Sequence, residues 1–388
     1  MDEKRPKVVI VGAGIGGLAA AIALKNAGSE VLVLERVPRL KPIGSGITLQ
    51  TNALQALDSI GLSESVRRNG AELTHATFCL DNGKQILDAD MARFAAELGQ
   101  PTVCIHRGIL QWLLLNKLGR RHVRTGVSVR RITQDQDAVS LDLSGGEKII
   151  ADAVIGADGI RSFVRNQLWG QIQLRHAGYT SWRGICRNDG LVAPGEANET
   201  WGTAKRFGFM PMDDERLYWF ATESTLPGSQ EHDSSRSAMV GRFGSWQGPI
   251  GEIVRRTRSP EILQTEVYEL PRLKSWGQGR ITLLGDAAHA MTPNLGQGGG
   301  MALEDAVVLA EAYQRAPTVA EWFLDFARRR KCRTRAIADE SRRLGSLAQG
   351  ETAIGRFVRN RLLPLIPAAM HDAHMRQLLN FNSALALL

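Results

Sequence analysis

The chain has 388 residues, of which 43% are hydrophobic and 23% are charged. This composition is ordinary for a folded protein and excludes both an intrinsically disordered chain and a fibrous repeat. The length predicts two or three domains, or one large domain with an insertion. Because no run of about 18 apolar residues occurs, the sequence predicts no membrane-spanning helix.

The net charge of +8 comes from the C-terminal part of the chain. Residues 328–388 contain 12 Lys and Arg residues against 4 Asp and Glu residues, which accounts for the whole excess. A basic patch confined to one terminal region does not indicate nucleic-acid binding, and solvated helix faces explain it equally well.

Neither the first residues of the chain nor its cysteines indicate secretion. Residues 1–6 are charged and lead directly into an apolar strand, unlike a secretory signal. The four cysteines, Cys79, Cys104, Cys186 and Cys332, show no metal-ligand spacing and suit free thiols in a reducing compartment. The sequence therefore predicts a cytoplasmic protein without a metal site.

The chain opens with a strand, a glycine-rich turn, a helix and a second strand. Residues 8–11 are a β-branched run typical of a strand buried on both faces, and residues 31–34 form a second such run. The intervening residues 18–24 predict a helix that ends at Gly28. A unit of this kind is the first half of a dinucleotide-binding fold.

The turn carries a G-x-G-x-x-G pattern at Gly12, Gly14 and Gly17. The first glycine permits the tight turn, the second lets the backbone approach a pyrophosphate, and the third lets helix and strand pack closely. Glu35, at the end of the second strand, is placed to accept hydrogen bonds from an adenosine ribose. Its carboxylate disfavours the 2′-phosphate of NADP, although Arg36 beside it could offset that repulsion.

Two further motifs each combine a buried strand with an Asp in the following turn. The first contains Asp158 and Gly159, and the second contains Gly285 and Asp286. The second motif continues through Pro293 and a glycine-rich segment at residues 296–300 into a predicted helix. Backbone N–H groups at such a helix start can stabilise negative charge on a flavin ring.

The middle and the end of the chain have different patterns. Residues 179–268 are rich in aromatic residues and turn formers, which predicts antiparallel strands in a second layer that faces the substrate. Helices are predicted from residue 301 to about 316 and from 319 to 344, and Pro364 and Pro367 break the last helical region.

In order and spacing, these three motifs resemble those of the class A FAD-dependent monooxygenases, the single-component aromatic hydroxylases and epoxidases. The resemblance covers roughly residues 6–345. Within the family, the chain is most similar to the branch of urate hydroxylases, salicylate hydroxylases and zeaxanthin epoxidase-like enzymes.

The resemblance implies an α/β fold with a Rossmann-like FAD/NAD(P)-binding domain of the GR2 type, an interleaved antiparallel-sheet substrate domain and C-terminal helices. The expected FAD-binding domain is discontinuous and comprises residues 1–75, 100–178 and 275–345. Residues 76–99 and 179–274 form the expected substrate domain, and residues 346–388 the C-terminal helical segment.

The resemblance also implies that FAD is held non-covalently, since no cysteine lies within a motif. The residues expected to contact it are Gly12, Gly14, Ile15, Gly16, Gly17, Glu35, Arg36, Arg107, Val127, Asp158, Gly159, Gly285, Asp286, Pro293, Gly296, Gly298, Gly299 and Gly300.

Only one Rossmann fingerprint is present, so NAD(P)H is expected to bind transiently and reduce the flavin. The resemblance implies that O₂ then forms a C4a-hydroperoxyflavin, which transfers one oxygen atom to an aromatic or lipophilic small molecule. Such chemistry needs a pocket that excludes water, and the aromatic residues between positions 179 and 220 suit that task.

Two residues are candidates for orienting or activating the substrate. Residues 205–211 and 216–220 predict neighbouring strands of a hairpin, in which Arg206, Gly208 and Met210 share a face. Arg206 and Tyr218 match positions that the urate-hydroxylase branch uses for substrate. The alternative is a core tyrosine and a surface arginine. Trp182 and Arg183 are a further candidate pair at the pocket wall.

The segment 353–367 mixes arginines with large apolar residues. It predicts either peripheral contact with an anionic membrane, which would favour a lipophilic substrate such as a quinolone, or packing on the protein or on a second copy. The chain is expected to be a monomer or a homodimer.

Three other functions stay open at this level. A halogenase of this fold usually carries W-x-W-x-I-P, which is absent because Trp182 and Trp201 are followed by Arg and Gly. A reductase would not consume O₂. A non-catalytic FAD-fold binding protein would not need the glycine-rich segment at 296–300, which is intact.

Overall fold

The computed structural model of the protein describes residues 6–40, 44–228, 235–350, 360 and 368–381. Its strands in chain order are β1 (Lys7–Val11), β2 (Glu30–Glu35), β3 (Gly46–Leu49), β4 (Ala71–Leu73), β5 (His75–Leu80), β6 (Gln85–Asp90), β7 (Thr102–His106), β8 (Val123–Thr125), β9 (Val129–Gln134), β10 (Val139–Leu143), β11 (Lys148–Ala151), β12 (Ala153–Gly156), β13 (Arg175–Arg187), β14 (Glu196–Trp201), β15 (Lys205–Pro211), β16 (Arg216–Ser224), β17 (Leu263–Glu269), β18 (Gly277–Gln278) and β19 (Ile281–Leu283).

The helices connect and cover these strands, and three short 3₁₀ turns lie at Arg120–His122, Ser259–Glu261 and Pro293–Leu295. The helices are α1 (Ile15–Asn26), α2 (Thr51–Ser59), α3 (Ser63–Arg68), α4 (Met91–Leu98), α5 (Arg107–Leu118), α6 (Phe163–Trp169), α7 (Arg236–Phe243), α8 (Ile250–Arg256), α9 (Asp286–His289), α10 (Gly298–Arg315), α11 (Val319–Gln349) and α12 (Ala368–Leu379).

The first large sheet has six strands in the order β18-β19-β12-β1-β2-β8. All neighbours pair in parallel except β18 and β19. The central strand β1 is apolar and nearly free of solvent, as expected for a strand with helices on both faces of its sheet. Because parallel strands end at the same edge, the residues after β1, β2, β12 and β19 gather at what we call the carboxyl edge.

The second large sheet has seven strands in the order β17-β13-β16-β15-β14-β5-β6. The hairpin of β15 and β16 is antiparallel, with Met210 opposite Tyr218 and Arg206 opposite Thr222. The strands β5 and β6 come from residues 75–90 and join strands from residues 175–269. The division of the chain into domains at the positions given above stays a prediction.

The two faces of the seven-stranded sheet have different neighbours. On the outer face, Trp182, Phe207 and Trp219 are fully buried in one apolar cluster with residues of α7 and α8. The inner face faces the rest of the molecule and carries Tyr179, Ser181, Arg183, Ile185, Arg206, Gly208, Met210, Tyr218, Phe220 and Thr222.

This alternation corrects two predictions. The aromatic residues between positions 179 and 220 do not form one layer toward the substrate, because successive side chains of a strand point to opposite faces. Trp182 packs away from the inner face, so the pair of Trp182 and Arg183 does not line one wall. Arg183 alone lies on the inner face.

A buried ionic cluster fixes α10 against α11. The Arg330 guanidinium, 1% exposed, donates to Glu304 and Asp305 at 2.7 Å each. Glu304 also accepts from Arg333 at 2.8 Å and from the Asn52 amide at 2.7 Å. Because buried carboxylates are tolerated only when paired in this way, the cluster holds the middle of α10 against α11.

The C-terminal helix α12 packs against α4, where Leu379 lies in a cluster with Met91 and Phe94. The basic segment 353–367 lies outside the described residues apart from Asn360, and so do Pro364 and Pro367. Among the residues that the structure describes, no helix has the length and apolar character needed to cross a membrane.

Candidate active site

The glycine-rich turn after β1 lies at the centre of the carboxyl edge. Gly12 has a φ of +111°, and a Cβ there would lie 2.5 Å from the carbonyl oxygen of Ala157. Both the backbone conformation and the close approach therefore require glycine. The helix α1 then begins at Ile15 with Gly14 as its N-cap, and no side chain caps it.

Glu35 anchors this turn. One carboxylate oxygen accepts a hydrogen bond from the Ala13 N–H at 2.8 Å, and the other accepts from the Val37 N–H at 2.9 Å. Each oxygen keeps a second lone pair that can accept a ribose hydroxyl. Val127 lies beside Glu35, since its N–H donates to the Glu35 carbonyl at 3.0 Å, and Arg36 is exposed nearby.

These groups fit a dinucleotide. The first turn of α1, which contains Gly16 and Gly17, has no acidic residue and no capping side chain, so its N–H groups are available to a pyrophosphate. Glu35, at the end of β2, stays the predicted ligand of the ribose. The residues that the sequence assigns to the ADP half of FAD therefore lie together.

The Asp158 side chain caps the start of α6. One of its oxygens accepts from the Ser162 hydroxyl at 2.5 Å, and the other accepts from the N–H groups of Phe163 and Val164 at 2.7 and 3.1 Å. The carboxylate thus holds the start of α6, and Gly159 follows in the same turn with a φ of +81°. A direct contact between Asp158 or Gly159 and the cofactor stays a prediction.

Asp286 opens toward the carboxyl edge together with Arg107, and both side chains are exposed there. Partial desolvation raises the pKa of the Asp286 carboxyl, and the positive charges of His289 and Arg107 lie close enough to oppose that rise. Gly285 donates its N–H to buried Asp305 at 3.1 Å, which fixes this turn. Asp286 and Arg107, far apart in the sequence, thus share one region.

His289 contacts buried groups of the protein. Its Nε2 lies 2.6 Å from Asp305, and its ring lies against Trp276. Burial acts to raise the pKa of Asp305, but the charges of His289 and Arg330 outweigh it and hold that pKa below its usual value.

The segment after Asp286 presents a second helix start to the same region. Pro293 begins a 3₁₀ turn, Gly296 has a φ of +66°, and α10 starts at Gly298 without a capping side chain. A Cβ on Gly298 would meet no atom within 4 Å, so this point is open. The helix start, with Gly299 and Gly300, can face an anionic ring as the sequence predicts.

Sequence reasoning missed an amide cluster that supports this segment. Asn52 donates to Gln297 at 2.8 Å, and Gln50 donates to the Leu295 carbonyl at 2.9 Å. Gln297 in turn donates to Gln50. Gln297 stood within the recognised motif, but Gln50 and Asn52 carry no local signal because only the tertiary fold brings α2 here.

Arg206 is not a surface residue. Two of its three guanidinium nitrogens already donate to protein partners. It is 2% exposed and donates to Glu199 and to the Asn294 carbonyl oxygen, at 2.7 Å each. The Tyr179 hydroxyl donates to the same oxygen at 3.0 Å. Arg206 therefore joins the inner face to the Pro293 turn, and its predicted contact with substrate stays a prediction.

Asn294 is the residue at which these contacts meet, and the sequence did not single it out. Its amide nitrogen donates to the Thr292 hydroxyl at 3.0 Å and to the Ser341 carbonyl at 2.8 Å. A Cβ on Gly345 of α11 would lie 2.3 Å from that nitrogen. Glycine at 345 therefore makes room for an amide that is hydrogen-bonded on every side.

Tyr218 lies on the inner face, where its ring packs on Gly46 of β3. It is 8% exposed and shares a cluster with Met210 and Cys104. Burial raises the pKa of its phenol, and the positive charge of Arg183 opposes that rise. Tyr218 is thus a neutral phenol at physiological pH in a largely apolar setting.

Known proteins agree with this geometry. Residues 5–315 match the family model described as an FAD binding domain. The chain belongs to the class A flavin monooxygenases. It is an FAD-dependent monooxygenase, and the predictions of family, fold class, enzyme class and FAD are confirmed.

Individual relatives cover nearly the whole chain. The aurachin C monooxygenase/isomerase of Stigmatella aurantiaca is 36% identical over 375 residues, covering 97% of this chain and 98% of the relative. The 2-heptyl-3-hydroxy-4(1H)-quinolone synthase of Pseudomonas aeruginosa is 36% identical over 379 residues, covering 95% and 97%. The structure of Klebsiella pneumoniae HpxO complexed with FAD and uric acid superposes with a TM-score of 0.90 at 27% identity, covering 98% of this chain and 97% of that chain.

Replacing Glu35 with Ala should weaken FAD binding. The change removes a charged acceptor for the ribose and the anchor of the Ala13 N–H. A loss of about 1.5–3 kcal/mol, or roughly 10- to 150-fold in Kd, is expected. Titration of the apoprotein with FAD measures it. Glu30→Ala, at the exposed start of the same strand, is the matched control, and equal Kd values for the two variants would contradict the assignment.

Replacing Gly345 with Ala should destabilise the protein through Asn294. The new methyl group collides with the amide, at an expected cost of about 1–3 kcal/mol in the free energy of unfolding. The cost should largely vanish when Asn294 is already Ala, which a double-mutant cycle by urea unfolding measures.

The control for that cycle is Gly241→Ala in α7, where a Cβ meets no atom within 4 Å. Helix propensity alone should make that change neutral or stabilising by up to about 1 kcal/mol. A Gly345→Ala penalty that persists without the Asn294 side chain would refute the contact.

Proposed function

We propose that this monooxygenase uses NAD(P)H and O₂ to hydroxylate an electron-rich bicyclic aromatic lactam, of the 4(1H)-quinolone type with an apolar substituent. The observation that carries the proposal is the identity of 36%, over nearly full length, to two enzymes whose names contain aurachin C and 2-heptyl-3-hydroxy-4(1H)-quinolone. Urate hydroxylases are less similar, at 30–32% identity over 80–89% of the chain.

The inner face offers a suitable surface for such a ring. The Phe220 ring lies over Gly208 of the neighbouring strand β15, where a Cβ would lie 2.3 Å from ring atoms. We call the surface formed by this ring and its neighbours Ile185, Met210 and Tyr218 the floor. Phe220 and Ile185 are half-buried on this face, and Met210 and Tyr218 are buried beside them. Flat apolar surface with a few polar groups is typical of a site for a planar aromatic molecule.

The floor lies close to the flavin-facing helix start. Tyr218 packs on Gly46 of β3, and the Thr48 hydroxyl of the same strand contacts the Met210 sulfur at 3.1 Å. The Ile47 side chain, between them, lies at 3.0 Å from the Cβ position of Gly299. β3 thus connects the floor to the start of α10.

A cavity of about 530 Å³ lies on the far side of Asn294. Its walls include Glu269 and the two arginines that pair with it, Arg175 and Arg342. A charged wall does not suit an apolar substituent, so we place the substrate on the Phe220 ring and not in this cavity.

Bound FAD supplies the hydride acceptance and oxygen activation that side chains cannot provide. The reaction takes two electrons from NAD(P)H, inserts one atom of O₂ into a C–H bond and releases the other as water. The chain contributes the helix start at Gly298, which favours negative charge on the ring, and an apolar face that excludes water. Tyr218, a neutral phenol, donates a hydrogen bond that orients the substrate.

Oxygen incorporation tests the function. Purified holoenzyme with NADH or NADPH and 2-heptyl-4(1H)-quinolone under ¹⁸O₂ should give a product heavier by one labelled oxygen, measured by mass spectrometry. Uric acid and salicylate, run in parallel, should stimulate NAD(P)H oxidation much less. Unlabelled product, or turnover of urate in preference to the quinolone, would refute the proposal.

Replacing Tyr218 with Phe should lower the product formed per NAD(P)H consumed. Loss of one hydrogen bond to substrate is worth about 0.5–1.5 kcal/mol, or roughly 2- to 10-fold. FAD content should not change. Tyr268→Phe is the matched control, because the Tyr268 hydroxyl donates to Glu266 in the edge strand β17 at 2.9 Å. An unchanged product ratio in Tyr218→Phe would show that the phenol only packs.

A further inference from the structure

Arg183 lies on the inner face of the seven-stranded sheet, in the strand next to the edge strand β17. It lies in β13, opposite Phe220 of β16 on one side and Leu263 of β17 on the other. Its side chain is half-buried. It shares its face with Tyr179, which bonds to Asn294, and with Ile185, which packs near Tyr218. Arg183 therefore lies between the floor, on one side, and Tyr179, whose hydroxyl bonds to the Pro293 turn, on the other.

The charge of Arg183 is not balanced. Within the part of the chain that the structure describes, its guanidinium makes neither a hydrogen bond nor an ion pair. Arg206, on the same face, differs because Glu199 neutralises it at 2.7 Å. The positive charge of Arg183 acts on two neighbouring tyrosines. Burial raises the pKa values of Tyr218 and Tyr179, and the charge of Arg183 reduces that rise.

The Arg183 guanidinium keeps contact with solvent, because none of its nitrogen atoms is among the described buried atoms that lack a hydrogen-bond partner. Its five donors form a rigid planar fork that suits an oxygen with negative charge. On this face the fork borders the Phe220 ring that covers Gly208. A planar ligand stacked on Phe220 would bring an oxygen at its rim within reach of Arg183.

We propose that Arg183 binds the carbonyl oxygen of the substrate and so determines which ring carbon faces the flavin. The inference rests on the proposed function, because it takes a quinolone-type lactam as the ligand. In a 4(1H)-quinolone the ring nitrogen donates electron density through the C2–C3 double bond to the 4-oxo oxygen, so that oxygen is the most negative atom of the ring system. C3, the carbon beside the carbonyl, is then held at a defined distance from the anchoring arginine.

The test removes the arginine from the protein and the carbonyl oxygen from the ligand, one at a time. The Kd of oxidised holoenzyme is measured by flavin fluorescence for 2-heptyl-4(1H)-quinolone and for 2-heptylquinoline, which lacks the oxygen. Arg183→Met should weaken binding of the quinolone roughly 10- to 100-fold, as expected for a hydrogen bond to a charged group. The Kd for 2-heptylquinoline should change less than about threefold, because Met retains the length of the apolar stem.

Two further variants complete the design. Arg187→Met changes an exposed arginine of the same strand and the same face, one that pairs with Asp189 at 3.1 Å, and should alter neither Kd. Arg183→Lys keeps the charge without the planar fork and should give an intermediate loss for the quinolone alone. It also supplies the test if Arg183→Met does not retain FAD.

The outcomes separate this inference from the proposed function. Wild-type enzyme that hydroxylates the quinolone while Arg183→Met and Arg183→Lys bind it normally would overturn only the inference. Equal weakening of both ligands would show that Arg183 merely packs, and would overturn it as well. Wild-type enzyme that neither binds nor hydroxylates the quinolone would overturn the proposed substrate class, and the inference with it.

Discussion

The parallel pairing of β1, β2, β12 and β19 is the constraint on which the site depends. Strands that run in the same direction deliver their following turns to one edge, so the glycine-rich turn, Glu35 and the Gly285–Asp286 turn meet there although they are up to 274 residues apart in the sequence. Two helices, α1 and α10, begin at this edge without capping side chains. Their free N–H groups can therefore serve a bound anion rather than their own chain.

Asn294 extends this arrangement to the second sheet. Its carbonyl oxygen accepts from Arg206 and Tyr179, and its nitrogen donates to Thr292 and Ser341. The Pro293 turn, which is predicted to face the flavin, is thereby tied to the inner face through Arg206 and Tyr179 and to α11 through Ser341. This contact explains why an arginine that looks like a substrate ligand in the sequence is occupied by protein partners. It also leaves Arg183 as a cation on the same face without a partner among the described residues.

The cofactor half of the site is the part for which the sequence predicts individual residues, and their contacts with FAD stay predictions. Its residues act through the backbone, through the conformational freedom of glycine or through a carboxylate at a strand end, and each of these leaves a local pattern. The substrate half was less predictable. Trp182 and Arg183 are adjacent in the sequence, yet they face opposite sides of β13, and only the pairing with β16 shows which side contains α7 and α8 and which contains β3.

By itself, the sequence determined the fold class, the strand–turn–helix unit at the N-terminus, the hairpin of β15 and β16 and the identity of the cofactor. These depend on short-range patterns, because hydrophobic periodicity and glycine spacing are encoded within a few residues. The tertiary structure alone decided the partners of Arg206 and the role of Asp158 as a helix cap. It also decided that Gln50 and Asn52 support the segment before α10, and that Arg183 has no partner among the described residues. Hydrogen bonds and ion pairs between distant segments depend on where the sheets place them, and no local pattern records that placement.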